Sequence, residues 1–379
     1  MGPYNNTITT YGLRRLRSAV TKLRPEYAAL LALEIEARLR AIEQTHPSSA
    51  WGERNMKKLL FAVTVAALVG PASAYGQAYP SRPITIVVGL PPGVGTDAVG
   101  RTIAEHMKAS LGQPVVFENA TGAGGTIGTA RAARAAPDGY TLSLGNLGTH
   151  VISPATYPNI QYHPLRDFEP VALLGTTAYW LVAKNTLPPR DLTELIAWLK
   201  ANPGKASAGM VGTGGLDQIA ATYFQQKTGT RFQLVPYRGG PPIVQDLVAG
   251  HIDLWLGGAQ ATFGQVRSGQ LKAYAVLANS RWFAAPDVPS TTEFGLPDLA
   301  ITFWIGLWAP KSTPKHVVAK INAAVTAAHA DQTTRQRLRD QGVEPPPPEQ
   351  RTPEAFGAFH KAELDKWWPF IKSAHIKAQ

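Results

Sequence analysis

The chain has 379 residues, a formal net charge of +11 and no cysteine. The missing cysteine excludes disulfides and thiolate-bound zinc or iron–sulfur clusters. The charge is dispersed: the first 74 residues hold ten of the 37 basic and five of the 26 acidic side chains, leaving +6 on the rest with no run of five basic residues. That pattern is a solvated surface and excludes a nucleic-acid footprint.

Residues 1–55 form an N-terminal extension of uncertain status. Leu13 to Gln44 is helix-forming and amphipathic, broken at Pro25. Residues 56–74 read as a secretory signal. Met56-Lys57-Lys58 is a basic start, Leu59–Val69 an apolar run of eleven residues, and Ala72-Ser73-Ala74 a small-residue cleavage pattern. The run falls short of the about 20 apolar residues that cross a bilayer. Met56 is therefore expected to be the true initiator, and the mature protein to begin near Tyr75 in the periplasm. What remains is long enough for two domains.

From Tyr79 the chain alternates strand and helix. Strands are predicted at Ile84–Leu90, Val115–Glu118, Thr141–Leu144, Val171–Leu174 and Leu181–Ala183, with helices at Ala98–Leu111 and Gly128–Ala136 between the first three. Asp191 opens a helix with Glu194 three residues on, a capping-box pattern. Strands follow at Ser207–Val211, Phe232–Pro236, Ile252–Leu256 and Leu271–Leu277. Helices are predicted from Gly215 to Thr228, at Ile243–Ala249 and at Ala259–Ser268. This alternation indicates doubly wound α/β sheets. Beyond Pro314 the sequence is helical, at Pro314–Ala330, Thr333–Gln341 and Thr352–Ile371, and these helices are expected to pack back on the first sheet. The proline run Pro345–Pro348 is a stiff connector.

Three strand-to-helix turns share one form: Pro91-Pro92-Gly93-Val94-Gly95-Thr96-Asp97, Ala120-Thr121-Gly122-Ala123-Gly124-Gly125-Thr126, and Gly212-Thr213-Gly214-Gly215. Glycine permits positive φ and turns backbone N–H groups inward. The helix that follows presents unsatisfied N–H groups and a partial positive charge, so a carboxylate or phosphate fits there without Arg or Lys. Asp97 reads as a loop organiser, since its own charge opposes an anion. A competing reading is the dinucleotide fingerprint Gly93-x-Gly95-x-x-Ala98, with Glu118 twenty residues further on. The Pro91-Pro92 pair and a secreted location weigh against an NAD-binding oxidoreductase. No P-loop, nucleophile elbow or His-Glu-x-x-His motif occurs. The nine histidines are scattered, so no metal is expected. His150 is of interest because Gly148-Thr149-His150 follows a strand end.

Several segments together resemble the Bug family of periplasmic solute receptors, the binding components of tripartite tricarboxylate transporters. They are Tyr79-Pro80-Ser81-Arg82-Pro83-Ile84, the first turn from Pro91 to Asp97, Leu111-Gly112-Gln113-Pro114-Val115-Val116, and Gly122-Ala123-Gly124-Gly125. Ala136-Pro137-Asp138-Gly139-Tyr140-Thr141, Val235-Pro236-Tyr237-Arg238-Gly239, Pro286-Asp287-Val288-Pro289 and Gly306-Leu307-Trp308-Ala309-Pro310 complete the set. The resemblance implies a type II periplasmic binding protein fold, two doubly wound lobes joined by two crossover segments near Gly175–Tyr179 and Ala300–Phe303. Lobe one would be residues 79–177 plus 302–379, and lobe two residues 178–301.

The resemblance further implies a monomer that captures a small carboxylate between the lobes, without catalysis or cofactor, and delivers it to membrane transporter subunits. A receptor signalling to a membrane partner carries the same signature. The implied ligand residues are Gly93, Val94, Gly95, Thr96, Asp97, Ala123, Gly124, Gly125, Thr126, Thr149, His150, Gly212, Thr213, Gly214 and Gly215. Two departures from the family pattern stand out: Val94 in place of glycine, and Gly257-Gly258 in place of Asp-Asn. With Trp255 beside the latter, a bulkier or aromatic acid is expected. Trp180 and Trp304, beside the crossovers, are candidate reporters of closure.

Overall fold

The computed structural model describes residues 79–93 and 95–378. The N-terminal extension, the signal peptide and Val94 lie outside the described residues.

Eleven strands form two sheets among the described residues. The first sheet contains β1 (Ile84–Val88), β2 (Val115–Asn119), β3 (Thr141–Asn146), β4 (Phe168–Thr177), β10 (Phe303–Pro310) and β11 (Val343–Glu344), in the order β11-β4-β10-β3-β1-β2. The second contains β5 (Tyr179–Lys184), β6 (Ser207–Val211), β7 (Gln233–Tyr237), β8 (Leu254–Gly258) and β9 (Leu271–Val276), in the order β7-β6-β8-β5-β9. β1 pairs parallel with β2 and β3, and β6 parallel with β7 and β8. The β-branched, apolar runs of β1 and β3 suit strands covered on both faces. Both sheets are nonetheless mixed. β10 runs antiparallel to β3 and β4, and β5 antiparallel to β8 and β9.

The mixing arises where the chain passes between sheets. β4 ends at Thr177 and β5 begins at Tyr179, with Ala178 alone between them. The return path lies beside the outward one: Leu277 N–H donates to Tyr179 O at 2.7 Å, and Ile301 N–H to Leu277 O at 2.8 Å. The two crossovers are thus linked through Leu277 by backbone hydrogen bonds.

Helices cover both sheets: α1 (Gly95–Leu111), α2 (Thr126–Ala133), the short α3 (Ser153–Thr156), α4 (Leu192–Ala201), α5 (Leu216–Thr228), α6 (Gly240–Ala249), α7 (Phe263–Arg267), α8 (Lys315–Ala330), α9 (Gln332–Asp340) and α10 (Pro353–Ser373). Sequence caps start several of them. Asp191 accepts from Glu194 N–H at 2.8 Å ahead of α4, and Thr352 from Ala355 N–H at 3.1 Å ahead of α10. The segment predicted as one helix at Ala259–Ser268 is a short turn at Ala259–Ala261 followed by α7, interrupted at Thr262.

The C-terminal helices pack on the first sheet. Val317, Ile321 and Val325 of α8 share one buried cluster with Val99, Ile103 and Met107 of α1 and with Ile84, Ile86 and Val88 of β1. α10 also touches a helix that follows the second sheet's β6: Trp367 and Phe370 meet Tyr223 of α5 edge-on at 5.3 and 5.0 Å. Behind it the chain end runs on, with Ala378 N–H donating to Thr156 O at 3.0 Å. β10 and β11 were not anticipated as strands. Gly306 lies in β10 because a Cβ there would sit 2.2 Å from the Phe356 ring, so this strand and α10 approach too closely for any side chain.

Candidate functional site

The turns that follow β1, β2 and β3 converge. The first runs from Gly89 to Asp97 and the second from Ala120 to Thr126. The third, distinct from the glycine turn at 212–215, is the segment 147–150 after β3. A Cβ on Gly89 would lie 2.3 Å from Gly125 O, and one on Gly128 2.8 Å from Gly89 Cα. A Cβ on Gly125 would lie 2.6 Å from Thr149 Cγ2. At Gly89 and Gly128 backbone meets backbone, which only glycine allows. Gly93, Gly124 and Gly125 adopt φ of 80°, 62° and 90°. Ala123 also carries positive φ, 45°, the strained member of the second turn. The result is a surface formed by Gly93, Gly95, Ala123 and Gly124, all exposed, above a buried layer of Thr96, Asp97, Gly125, Thr129 and Thr149.

Hydrogen bonds lock that layer. Asn146 Nδ2 donates to Thr96 Oγ1 at 2.8 Å, and Thr149 N–H to Asn146 Oδ1 at 3.1 Å, tying the first and third turns together. Asp97 points back into its own turn. It accepts from Gly93 N–H at 2.9 Å, Arg101 Nε at 2.8 Å and Asn119 Nδ2 at 3.0 Å. Burial pushes its carboxyl up, but the hydrogen bonds from Arg101, Gly93 and Asn119 outweigh it and leave the group below the usual carboxylate range. Asp97 is therefore a neutralised organiser of the loop.

His150 is placed in the core. It is 0 % exposed and stacks on the Trp308 ring at 3.7 Å with 3° between planes. Its Nδ1 meets Thr149 Oγ1 at 2.9 Å. Burial, with His360 nearby, holds its pKa well below the ordinary histidine value. Thr149 and His150 thus support the third turn from beneath. Glu118, the acid of the dinucleotide pattern, forms a two-pronged ion pair with Arg131 of α2.

On the second sheet, Gly212-Thr213-Gly214-Gly215 links β6 to α5, with φ of 63° at Gly212 and 74° at Gly214. The structure closes this turn with a group the sequence reasoning missed. Asp217, the second residue of α5, accepts from Val211 N–H at 3.1 Å, from Trp255 Nε1 at 2.9 Å and from the Tyr179 hydroxyl. Burial pushes the Asp217 carboxyl up, and its three donors bring it only part of the way back. The signal was available: an acid in the first turn of the helix after a glycine turn, as at Asp97.

Several turn amides are engaged internally. Gly93 N–H goes to Asp97, Gly125 N–H to Gly122 O at 2.9 Å, Gly212 N–H to Tyr237 O at 2.9 Å, and Gly214 N–H to Gln218 Oε1 at 2.7 Å. These glycines give the turns their shape. The first-turn N–H groups of α1 (Gly95, Thr96, Asp97) have no carbonyl of their own helix to bond. Trp255 is 3 % exposed, and a Cβ on Gly257 would fall 2.4 Å from its ring. The indole therefore requires glycine at 257 and offers no aromatic wall, so the expectation of aromatic surface at this position is not met. Trp180 and Trp304 are 0 % exposed. Among the described residues, no group of three or more His, Cys, Asp or Glu is placed to hold a metal ion, and no helix is long and apolar enough to cross a membrane.

Comparison with known proteins places these features in context. The family described as "Tripartite tricarboxylate transporter family receptor" matches residues 99–376. Protein BugT of Bordetella pertussis is 33% identical over 328 residues, 85% of this chain and 99% of BugT. MatC of Rhodopseudomonas palustris, solved with bound malate, is 37% identical with a TM-score of 0.68, covering 77% of this chain and 100% of that one. The R. palustris protein Rpa4515, solved with adipate, is 28% identical with a TM-score of 0.69, covering 79% and 99%.

Proposed function

The chain belongs to the tripartite tricarboxylate transporter family of receptors, periplasmic solute-binding proteins as a class, and from that premise we propose that it captures a small organic carboxylate in the gap between its two sheets. The lobes are residues 79–177 with 302–379, carrying the first sheet, and 178–301, carrying the second. The signal peptide directs the protein to the periplasm. There it works as a monomeric carrier, performs no chemistry, and hands its ligand to membrane transporter subunits.

The observation that carries this reading is the convergence of the first three turns on one patch, at the carboxyl ends of parallel strands, where α/β sheets bind ligands. The ligand carboxylate sits at the starts of α1 and α2, near Gly93 to Thr96 and Ala123 to Thr126. The helix dipoles and first-turn N–H groups supply the attraction. Arg101 cancels Asp97, so the acid beneath the turn does not repel the anion. Lobe two then closes Gly212 to Gly215 over the far side. Ile127, 56% exposed, and Val211, 39% exposed, stand beside the turns and give a carbon skeleton something to lie against. Two or three charge-assisted contacts of roughly 1.5–3 kcal/mol each, less the entropy of capture, support affinities near micromolar, about −8 kcal/mol. The acids seen with MatC and Rpa4515, malate and adipate, make aliphatic carboxylates the first compounds to examine.

Titration calorimetry against a panel of aliphatic and aromatic acids tests the proposal. Binding of at least one acid near micromolar affinity is expected. A panel without any binder, against a folded protein stripped of co-purified ligand, would overturn it.

A further inference from the structure

A cavity of about 310 Å³ opens beside the end of β4, and no residue of the glycine turns lines it. That volume stands at the small end of the about 300–1,000 Å³ spanned by small-molecule sites. Thr176 of β4 and Glu344 of β11, opposite each other in the strand register, both line it. α9 contributes Arg335 and Arg339, one turn apart on the same helix face. Arg351 reaches it from beyond the proline run, and Phe283 from the connection between β9 and β10.

The lining carries three positive charges and one negative. Among the described residues, none of these four groups enters an ion pair. Arg351 is held in place by one bond, from its Nε to Pro346 O at 2.9 Å, which leaves both terminal nitrogens to face another acceptor. The guanidinium of Arg339 stands over the Phe283 ring, 5.5 Å from its centre. The end of a helix favours basic side chains, and that accounts for Arg337 and Arg339 in the last turn of α9. It does not account for Arg335, in the first half of the helix, or for Arg351, outside it.

We propose that this basin is a second, separate binding site for a small polyanion, a molecule with at least two carboxylate or phosphate groups. The net charge of the lining is that of three arginines less one glutamate, so a doubly charged ligand balances it and a singly charged one does not. Planar guanidinium forks match the oxygens of carboxylate and phosphate alike. Prolines supply no N–H, so the wall they form leaves recognition to the arginines and to the hydroxyl of Thr176. The site does not depend on the carboxylate-capture reading above, because it lies at another place and uses other groups.

Calorimetry at low ionic strength tests it with pyrophosphate, citrate and acetate, in the presence of a saturating amount of the tightest gap ligand. The proteins are the wild type, the double variant Arg335→Ala/Arg339→Ala, and Arg337→Ala, which removes a charge from the same helix but not from the basin. Pyrophosphate or citrate is expected to bind one-to-one and roughly tenfold more tightly than acetate. The double variant is expected to lose roughly tenfold in affinity for that polyanion, and Arg337→Ala to stay within about twofold of wild type. The side chains of Arg335 and Arg339 are exposed; if the double variant nonetheless fails to fold, each single variant gives the same comparison. Three results overturn the proposal: neither polyanion binds, Arg337→Ala weakens binding as much as the double variant does, or the gap ligand competes the polyanion away. If no acid binds in the gap while pyrophosphate binds through Arg335 and Arg339, the carboxylate-capture reading falls and the basin stands.

Discussion

Replacing Gly89 by Ala is the cleanest perturbation of the first wall. The backbone at Gly89 has no positive φ, so alanine is conformationally acceptable there and the effect is purely one of space. The new methyl would lie 2.3 Å from Gly125 O and 2.9 Å from both Gly125 C and Cα. Ordinary contact between such atoms is about 3.5 Å, so the first and second turns must part by roughly 1 Å. A carboxylate spanning both turns then loses one of its two sets of contacts, because a bond lengthened from about 2.9 to 3.9 Å is no longer a hydrogen bond. One lost charge-assisted contact costs about 1.5–3 kcal/mol, or roughly ten- to 150-fold in Kd. The assay is calorimetry with the tightest acid found for the wild type, alongside thermal melting. Gly93→Ala is the control: nothing lies within 4 Å of its Cβ, so it carries only the strain of φ 80°. If Gly89→Ala binds within twofold of wild type, the ligand does not bridge these turns and the reasoning is refuted.

Three further outcomes follow from the packing. His329 and His360 are each 2% exposed, and burial lowers both to about 4. Their folded values lie below the unfolded value of about 6.5, so the unfolded chain binds more protons, and stability present above pH 6.5 is lost as pH falls towards 4, by about 3 kcal/mol for each residue. Melting temperature should fall steeply across that window, and a flat profile would contradict it. Trp282 donates from its indole to Gly342 O at 3.2 Å, joining the return segment to the end of α9, whereas Trp180 and Trp304 are sealed in the core. Trp282→Phe should therefore abolish most of any ligand-induced fluorescence change; an unchanged response would show that lobe closure does not move this contact. Deleting residues 376–379 removes buried Ile376 and Ala378 and the bond from Ala378 to Thr156. The melting temperature should drop by several degrees, and no drop would mean that the tail does not help to hold α3 in place.

The alternation of strands and helices was legible because buried parallel strands are short apolar runs and helices carry their own caps. Ser207–Val211 and the end of α5 at Thr228 emerged at their observed bounds, since glycine turns mark both. β10 was harder to read. Phe303–Pro310 is apolar and aromatic throughout, but its partners β3 and β4 are distant in sequence, so pairing and not local pattern makes it a strand. The two-residue β11 has no local signal at all. In the candidate site, the glycine turns were visible because positive φ and close approach leave glycine in the sequence. The sequence does not reveal which amides the turns consume, nor that His150 faces inward onto Trp308. Asp217 escaped notice because its meaning depends on Tyr179 and Trp255, 38 residues away on either side.

The most direct test is a crystal structure of the protein grown with its tightest-binding acid. The account predicts one carboxylate at the starts of α1 and α2, within hydrogen-bond distance of the turns around Gly95 and Gly124. Electron density for the acid elsewhere, for example in the basin lined by Arg335, Arg339 and Arg351, with the gap between the sheets empty, would contradict it.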